Sequence, residues 1–190
     1  LMNELFGRSR FGPIVFGAQA PDTGNAEILA HYGTPEQKKR FLEPLLANEI
    51  VSCFSMTEPQ GGADPLVFTT RAVRDGDEWV IDGEKWFSSN ARYAAFYIVM
   101  AVTDPDAAPY KRMSMFIVPA ATPGVEIKRN LTFYGEPEAT HAYMAYKGVR
   151  VPKENMLGGR GDAFVVAQVR LGGGRLHHAM RTVAQARRAL

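Results

Sequence analysis

The chain has 190 residues, a net charge of +2 and 46% hydrophobic residues. This length allows one large domain or two small ones with a sizeable core, and the near-balanced charge, without a basic run interleaved with aromatics, excludes the usual signature of a nucleic-acid-binding surface. No apolar run reaches the roughly 18 residues of a membrane-spanning helix. The single cysteine, Cys53, cannot form a disulfide within the chain and lies in an apolar run, so we predict a core residue rather than a nucleophile.

Helical patterns fill the first quarter of the chain. The first helix is predicted to bury the face formed by Ala26, Leu29 and Ala30, and to end at Gly33. The next begins at Thr34, which can form a capping box with Gln37. Its buried stripe is predicted to be Phe41, Leu42, Leu45 and Leu46. Pro44 has no amide hydrogen, so we expect this helix to kink or end there.

From about residue 50 to 151 the pattern changes to short strands. The predicted strands are 50–56, 67–74, 78–81, 85–89, 96–102, 113–118, 125–129 and 141–149. Turn residues separate them at 75–77 (a three-residue hairpin turn), 82–83, 104–105, 123–124 and 136–137. With no helical period between them, these strands predict an antiparallel barrel or sandwich.

Helical periodicity returns after Pro152. Residues 158–162 are predicted to be a loop, 164–171 an apolar helix, and Gly172-Gly173-Gly174 its interruption. The resumed helix would present Leu176, Met180, Val183, Ala184 and Arg187 on one face. The sequence thus predicts an α+β fold with a helical segment at 1–50, a β domain at 51–152 and the start of another helical region at 153–190.

Two stretches have the composition of a small-molecule site. In residues 54–64, a buried strand enters a loop where Thr57 offers a hydroxyl and Gly61 and Gly62 allow close approach of main chain to a ligand. The alternative is a surface turn after a core strand. In residues 83–90, two aromatics and two hydroxyls could cover a ligand ring and bond its heteroatoms. The alternative is an aromatic strand packed in the core.

The glycines at 172–174 and the histidines allow weaker inferences. The glycines lack the Gly-Lys-Ser/Thr of a P-loop; at a helix start before Arg175 they could approach a phosphate, or they could form a helix corner. His177 and His178 are adjacent and therefore point in different directions, which does not suit a metal pair. His31 and His141 are isolated in the sequence, and no metal site is predicted.

The order of these motifs resembles that of the acyl-CoA dehydrogenase family. Met56-Thr57-Glu58-Pro59 resembles its Thr-Glu-Pro flavin signature, residues 82–90 its Asn-Gly-x-Lys-x-Trp-Ile-Thr-Asn segment, and residues 149–158 its Val-x-Val-Pro-x-Glu-Asn-x-Leu-Gly segment. Residues 32–42 resemble its helix before the middle domain, and 172–175 the opening of its C-terminal bundle. The resemblance covers essentially the whole chain. Trp-Phe-Ser-Ser and Gly-Arg-Leu-His-His resemble the subgroup that acts on long-chain or unusual acyl-CoAs.

The resemblance implies FAD held between the β domain and the C-terminal bundle. The implied cofactor-binding residues are Phe54, Ser55, Met56, Thr57, Gly62, Ala63, Phe87, Ser88 and Ser89. The implied substrate-binding residues are Ala63, Gly174 and Arg175. Thr57 would bond the pyrimidine edge of the flavin, and Ser89 would lie near its reactive nitrogen. The sequence departs from the family pattern at Ala63, where Ser is usual, at Phe87, where Trp is usual, and at residues 172–173, where several members carry acidic or aromatic contacts to CoA.

The implied reaction is α,β-dehydrogenation of an acyl-CoA thioester, with electrons passed to an electron-transfer flavoprotein. The general base is expected beyond Leu190, so no catalytic residue is assigned, and Glu58 is expected to be structural. A chain starting at Leu1 and ending inside the bundle is expected to be part of a longer enzyme, inactive alone and dimeric or tetrameric when complete. Its location would be the cytoplasm in a bacterium or the mitochondrial matrix in a eukaryote. The alternatives are a flavin oxidase or monooxygenase on the same fold, and a non-catalytic binding module.

Overall fold

A computed structural model describes residues 1–9, 11–132 and 140–190. The α-helices are Met2–Gly7 (α1), Gly12–Val15 (α2), Asp22–Tyr32 (α3), Pro35–Gln37 (α4), Glu43–Leu46 (α5) and Ala163–Ala189 (α6). The strands are Ser52–Ser55 (β1), Arg71–Asp75 (β2), Glu78–Ser89 (β3), Phe96–Val102 (β4), Met113–Pro119 (β5), Val125–Asn130 (β6), His141–Pro152 (β7) and Met156–Leu157 (β8). Within the described ranges, no helix has the combination of length and apolar character that a membrane crossing needs. The predicted α+β class is confirmed; the predicted turn at 136–137 lies outside the described residues.

The capping box at Thr34 is confirmed and also ties the N-terminal helices to the sheet. The Gln37 amide donates to the Thr34 hydroxyl over 3.2 Å, and the Thr34 amide donates to Gln37 Oε1 over 3.0 Å. The Gln37 side-chain nitrogen then donates to the carbonyls of Glu154 (2.7 Å) and Met156 (2.9 Å). A local helix start therefore fixes a contact with residues more than a hundred positions away.

The helix contains a π-helical turn, Lys38–Leu42, just before Pro44. It continues past the proline as α5 and ends at Leu46. A π turn widens the hydrogen-bond ring and accommodates an irregularity in the amide ladder. The extra residue per turn also rotates the buried face, so Leu46 is exposed, and its predicted burial is wrong. The predicted burial of Ala30 is wrong too, because the polar Asn25 joins Ile28 and Leu29 on the buried face of α3.

The strand order in the sheet is β6-β7-β3-β2-β4-β5-β8, with β1 beside β4. Most neighbours are antiparallel, as predicted, but β4 pairs in parallel with β1 and, through Arg71 and Val102, with β2. The predicted strand at 96–102 matches β4. The predicted strand at 67–74 begins too early, because Pro65–Val67 forms a 3₁₀ turn and pairing starts at Arg71.

Two predicted turns around β3 differ from the observed ones. Asp75 pairs with Glu78, so the hairpin connection has two residues rather than three. The predicted turn at Asp82-Gly83 is wrong, since β3 continues through it as a bulge against β7. Gly83 has φ of 149° there, and a Cβ on it would lie 2.6 Å from the Thr70 Cα, so only glycine fits.

Both faces of β4 are buried. Phe96, Ile98 and Met100 pack in one cluster with residues of α3 and α6, and the alternate residues pack in a second cluster within the sheet. In that second cluster the rings of Trp79 (β3) and Phe116 (β5) lie 5.4 Å apart, although β2 and β4 separate their strands, so the sheet curls around it. Cys53 lies fully buried there, as a core residue, and burial raises the pKa of its thiol.

The glycines at 172–174 do not interrupt α6, which is continuous for 27 residues. The predicted interruption is wrong because packing on both sides holds the helix. Val166 and Ala167 lie in the first core cluster, and the Gly7 backbone approaches so closely that a Cβ there would be 2.7 Å from the Arg181 carbonyl oxygen. Of the predicted C-terminal face, Ala184 is buried, whereas Leu176, Met180 and Val183 are exposed.

Candidate functional site

A cleft of about 1300 Å³ opens where the ends of β1 and β3 meet beside α6. The Trp86 amide donates to the Thr57 carbonyl over 2.7 Å, and the Lys85 ammonium donates to the Met56 carbonyl over 2.8 Å. These hydrogen bonds bring the two stretches that the sequence singled out into one site. Side chains from α3, from the α5–β1 connection and from the start of β7 complete its walls.

Most of the implied cofactor-binding residues line this cleft: Phe54, Met56, Thr57, Gly62, Ala63, Phe87 and Ser89. Ser55 and Ser88 do not. Both are fully buried, their hydroxyl oxygens lie 2.9 Å apart, and the Tyr146 hydroxyl donates to Ser55 over 2.8 Å. Neighbouring residues of a strand point to opposite faces, so Ser55 turns inward when Phe54 turns outward. The two serine hydroxyls are therefore engaged within the core, with each other and, for Ser55, with Tyr146.

Phe87 displays its ring in the cleft because the strand is bulged at that point. The register between β3 and β7 shifts between Lys85 and Ser88, and Phe87 has φ of 55°, in the left-handed region. Its side chain is 52% exposed and meets Trp86 edge-on, with 5.6 Å between ring centroids. The alternative interpretation, an aromatic strand packed in the core, therefore does not hold for Phe87. Across the site, Gly62 has φ of 51° and open space where a Cβ would lie.

A buried ion pair holds the loop that follows β1. Lys85 Nζ lies 2.8 Å from Glu58 Oε1, and both side chains are excluded from solvent. Glu58 also accepts from the amides of Thr69 (2.7 Å) and Thr70 (3.0 Å). Burial alone would raise the pKa of Glu58, but Lys85 and these amides outweigh it and lower the pKa to about 2. Glu58 is therefore ionised and fully engaged within the protein, which agrees with the structural role expected for it.

Ser89 and His141 form a polar pair at the end of the cleft. They are opposite one another in the β3–β7 register, and Ser89 Oγ and His141 Nδ1 share a hydrogen bond of 2.8 Å. His141 is isolated only in the sequence. Its proximity to the Ser-Ser motif could have been found only from the strand register, which bulges in β3 make hard to predict.

A second cavity of about 400 Å³ lies between α3 and α6 and is lined by Gly174 and Arg175, two of the three implied substrate-binding residues; the third, Ala63, lines the first cleft. Gly174 and Arg175 sit in the interior of α6, so neither predicted form of the glycine run, a helix start or a corner, is present. Sequence reasoning missed Arg170 and His178, which line both cavities. A signal was present: Arg170 is the only charged residue in the run from Ala163 to Leu171, which is otherwise apolar except for Gln168.

Comparisons with known proteins agree with this fold. Residues 53–149, more than half of the chain, match the family described as acyl-CoA dehydrogenase, middle domain. The chain belongs to the acyl-CoA dehydrogenase family.

Three relatives illustrate the range of similarity. "Acyl-CoA dehydrogenase family member 11" of chicken (Gallus gallus) is 47% identical over 197 residues, covering 100% of this chain and 25% of the relative. "Probable acyl-CoA dehydrogenase FadE2" of Mycobacterium tuberculosis is 45% identical, covering 98% of this chain and 47% of the relative. The solved structure of a Mycobacterium abscessus protein described as an acyl-CoA dehydrogenase superposes with a TM-score of 0.91 at 44% identity, covering 97% and 47% of the two chains. The chain thus spans a quarter to a half of these relatives.

Proposed function

We propose that this chain forms one wall of the active site in an FAD-dependent acyl-CoA dehydrogenase. The enzyme would remove the α and β hydrogens of an acyl-CoA thioester and pass the electrons to an electron-transfer flavoprotein. The observation that supports this most directly is the convergence of Thr57, Phe87 and Ser89 on one cleft, because the sequence resemblance implies that these three residues contact the flavin.

The lining of the cleft fits a flavin. The exposed Phe87 ring offers a face for an aromatic ring system, and the hydroxyls of Thr57 and Ser89 offer hydrogen bonds to ring heteroatoms. The open backbone at Gly62 allows the approach of a bulky group such as a pyrophosphate. Bound there, FAD would supply the hydride acceptor for the reaction.

The protein residues would bind and orient. Thr57, at the end of β1, would hydrogen-bond the pyrimidine edge of the ring, and Ser89, held by His141, would bond the ring near its reactive nitrogen. Phe87 would cover the ring and exclude water from it. Hydrogen bonds to the thioester oxygen would stabilise the enolate-like charge that develops when the α proton leaves.

We propose that the general base lies outside these 190 residues. Among the described residues that line the cleft, Asp22 carries the only carboxyl group. Its Oδ1 already accepts from the Ser52 amide (2.7 Å) and hydroxyl (2.6 Å). The chain alone is therefore expected to show no turnover, and turnover by it would contradict this assignment.

The decisive experiment is a visible absorption spectrum of the full-length parent protein, taken before and after anaerobic addition of acyl-CoAs of different chain lengths. We expect flavin bands that bleach with some of the thioesters and recover when an electron-transfer flavoprotein is added. Bands that persist with every thioester but respond to oxygen would favour an oxidase or monooxygenase, and protein that retains no flavin would favour a binding module.

The same preparation tests the site. A Thr57→Val variant removes the hydroxyl at nearly constant volume, and we expect weaker flavin retention and a shifted absorption maximum. Thr122 is half-buried outside the cleft, and its hydroxyl donates to the Pro119 carbonyl; Thr122→Val is therefore a matched control. Flavin retention and absorption unchanged in Thr57→Val would remove Thr57 from the site. Sedimentation of the same protein tests the proposed dimeric or tetrameric assembly.

A further inference from the structure

Arg170 occupies an unusual position for a charged residue. It lies on α6 between Val169 and Leu171, and it forms part of the wall of both the flavin cleft and the second cavity. The two cavities also share Ala20, Thr23 and His178 in their linings, so they adjoin at this point. The second cavity is thus a side chamber of the cleft, and Arg170 stands where the two meet.

The surroundings hold the Arg170 side chain in place without using all of its donors. Its guanidinium lies 3.7 Å from the centroid of the Phe54 ring, and its Nε donates to Asn25 Oδ1 over 2.8 Å. Asn25 in turn donates to the Ser52 hydroxyl over 2.8 Å. In the part of the chain that the structure describes, the two terminal nitrogens make no hydrogen bond and no ion pair. A fixed planar fork with free donors is well suited to a carboxylate or phosphate.

Arg170 is charged at neutral pH but poorly compensated. Withdrawal from solvent lowers its pKa to about 10, and Asp22 attracts it from beyond ion-pair distance. The Asp22 carboxylate is itself held by Ser52. A partly desolvated cation without an anionic partner is unfavourable unless a ligand supplies the partner.

The side chamber also has more basic than acidic side chains in its lining. Two arginines, Arg170 and Arg175, and two histidines, His177 and His178, line it, whereas Glu27 is its single acidic residue among those described. A chamber built only for an alkyl chain would be expected to lack such groups, because an apolar ligand would leave them without hydrogen-bond partners.

We propose that Arg170 binds an oxyanion, either a carboxylate or a phosphate, carried on the acyl chain of the substrate. This inference rests on the proposed function and assigns a substrate class to it: acyl-CoAs with a second anionic group beyond the reacting carbons. The thioester would lie in the cleft beside the flavin, and the distal part of the acyl chain would pass Phe54 into the side chamber.

The test compares three CoA thioesters of equal chain length that end in a methyl group, a carboxylate or a phosphate monoester. Their dissociation constants are measured by calorimetry with the full-length protein, and flavin bleaching is followed in parallel under anaerobic conditions. We expect one of the anionic thioesters to bind roughly 10- to 100-fold more tightly than the methyl-ended one, as for a hydrogen bond to a charged group. The anionic thioester with the larger gain in affinity shows whether the site binds a carboxylate or a phosphate.

Variants assign the preference to the residue. Arg170→Leu should lose the preference, so that the anionic thioesters bind no more tightly than the methyl-ended one, and Arg170→Lys should retain part of it. The matched control is Arg74→Leu, an exposed arginine of β2 that lines neither cavity. A preference for the anion that survives in Arg170→Leu would overturn the proposal. If that variant does not fold, the wild-type comparison and Arg170→Lys still decide.

The outcomes separate this inference from the proposed function. Bleaching by all three thioesters with equal affinities would leave the dehydrogenase intact and refute the anion site. An anion preference in calorimetry without any bleaching would support the site and refute the dehydrogenase. Absence of binding by all three thioesters would refute both.

Discussion

At the scale of single residues, the Glu58–Lys85 pair supports the site without lining the cleft. Its carboxylate, its ammonium and the main chain after β1 form one buried network, in which Glu58 is 1% and Lys85 0% exposed. Removing one partner from such a pair leaves the other charge buried and uncompensated, which costs more than the pair contributes. Within the Thr-Glu-Pro motif, Glu58 therefore holds the main chain beside Thr57 in place, whereas Thr57 itself lines the cleft.

We predict that Glu58→Gln lowers the free energy of unfolding by about 3 kcal/mol, because Lys85 would remain buried without a counter-charge. Chemical denaturation with matched m-values measures the change. Glu126→Gln is the control, since Glu126 and Lys147 form an exposed pair with an N–O distance of 2.7 Å, close to the 2.8 Å of the buried pair, and surface pairs contribute about 0–1 kcal/mol. Equal effects of the two substitutions would show that burial does not matter here.

A pH dependence follows from the same carboxylate. The pKa of Glu58 is about 2 in the folded chain against 4.5 as its ordinary value, so its contribution to stability is complete above pH 4.5 and is lost as the pH falls toward 2. We expect a loss of about 3 kcal/mol over this range relative to Glu58→Gln, at 1.36 kcal/mol per pKa unit. The free energy of unfolding of the wild-type chain is measured by denaturation at pH 6, 4 and 3, and that of Glu58→Gln at the same pH is subtracted. Parallel pH profiles of the two proteins would refute the assignment of this dependence to Glu58.

At the scale of elements, β3 carries two bulges with different consequences. The first lets the strand pass Thr70 at Gly83, and the second turns Phe87 into the cleft. A regular strand of this length would alternate strictly and send one of the two aromatics, Trp86 or Phe87, into the core. The bulges therefore decide which residues of the motif can reach a ligand.

We predict that Gly83→Ala destabilises the chain by roughly 2–3 kcal/mol or more, because φ of 149° is unfavourable for alanine and its Cβ would lie 2.5 Å from Thr70 Oγ1. The measurement is the free energy of unfolding, supported by circular dichroism. Gly76→Ala, in the exposed hairpin turn with φ of 61° and open space around the Cβ, isolates the conformational cost from the clash. A Gly83→Ala effect no larger than that of Gly76→Ala would contradict the close contact.

In α6, by contrast, a glycine-to-alanine substitution is expected to stabilise the chain. Gly172 lies in the helix interior, and a Cβ added to it would have no atom within 4 Å beyond the adjacent helix backbone. Gly172→Ala should therefore stabilise the chain by about 0.5–1 kcal/mol through helix propensity alone. Thermal denaturation followed at 222 nm would report the gain. If the substitution lowers the melting temperature, the helix is not continuous at this point in solution.

At the scale of the whole molecule, α6 has two different halves. Its first half packs in the first core cluster, and its second half leaves Leu176, Met180 and Val183 exposed in one stripe. Contiguous exposed apolar side chains of this kind usually mark a contact surface. The sequence predicts the start of a helical bundle in this region, and a bundle helix presents such a stripe to its neighbours.

We expect this chain, studied alone, to self-associate through that stripe, and the double variant Leu176→Lys/Val183→Lys to remain monomeric. Sedimentation velocity over a range of protein concentrations measures both. Val73→Lys is the control, because Val73 is an exposed apolar residue of β2 outside the stripe. Monomeric wild-type chain at every concentration would show that the stripe does not drive association under these conditions.

The sequence by itself determined the features that depend on near neighbours. The capping box at Thr34 and the limits of β4 follow from hydrogen bonds and alternation within a few residues. The Thr-Glu-Pro stretch, with its glycines, was recognisable for the same reason. These local signals were enough for the fold class and for singling out two of the stretches that line the cleft.

Only the tertiary structure decided which side chains meet. Lys85 of β3 joins Glu58 in the loop after β1, and Ser89 joins His141 through the bulged pairing of β3 with β7; neither contact is encoded in a local pattern. Ser55 and Ser88 turn into the core, where their hydroxyl oxygens lie within hydrogen-bond distance of each other. Arg170 reaches the cleft because this part of α6 packs beside Asn25 of α3 and Phe54 of β1. Contacts between residues far apart in sequence arise from packing, which overrides local preference, so the charged part of the site emerged only once the chain was folded.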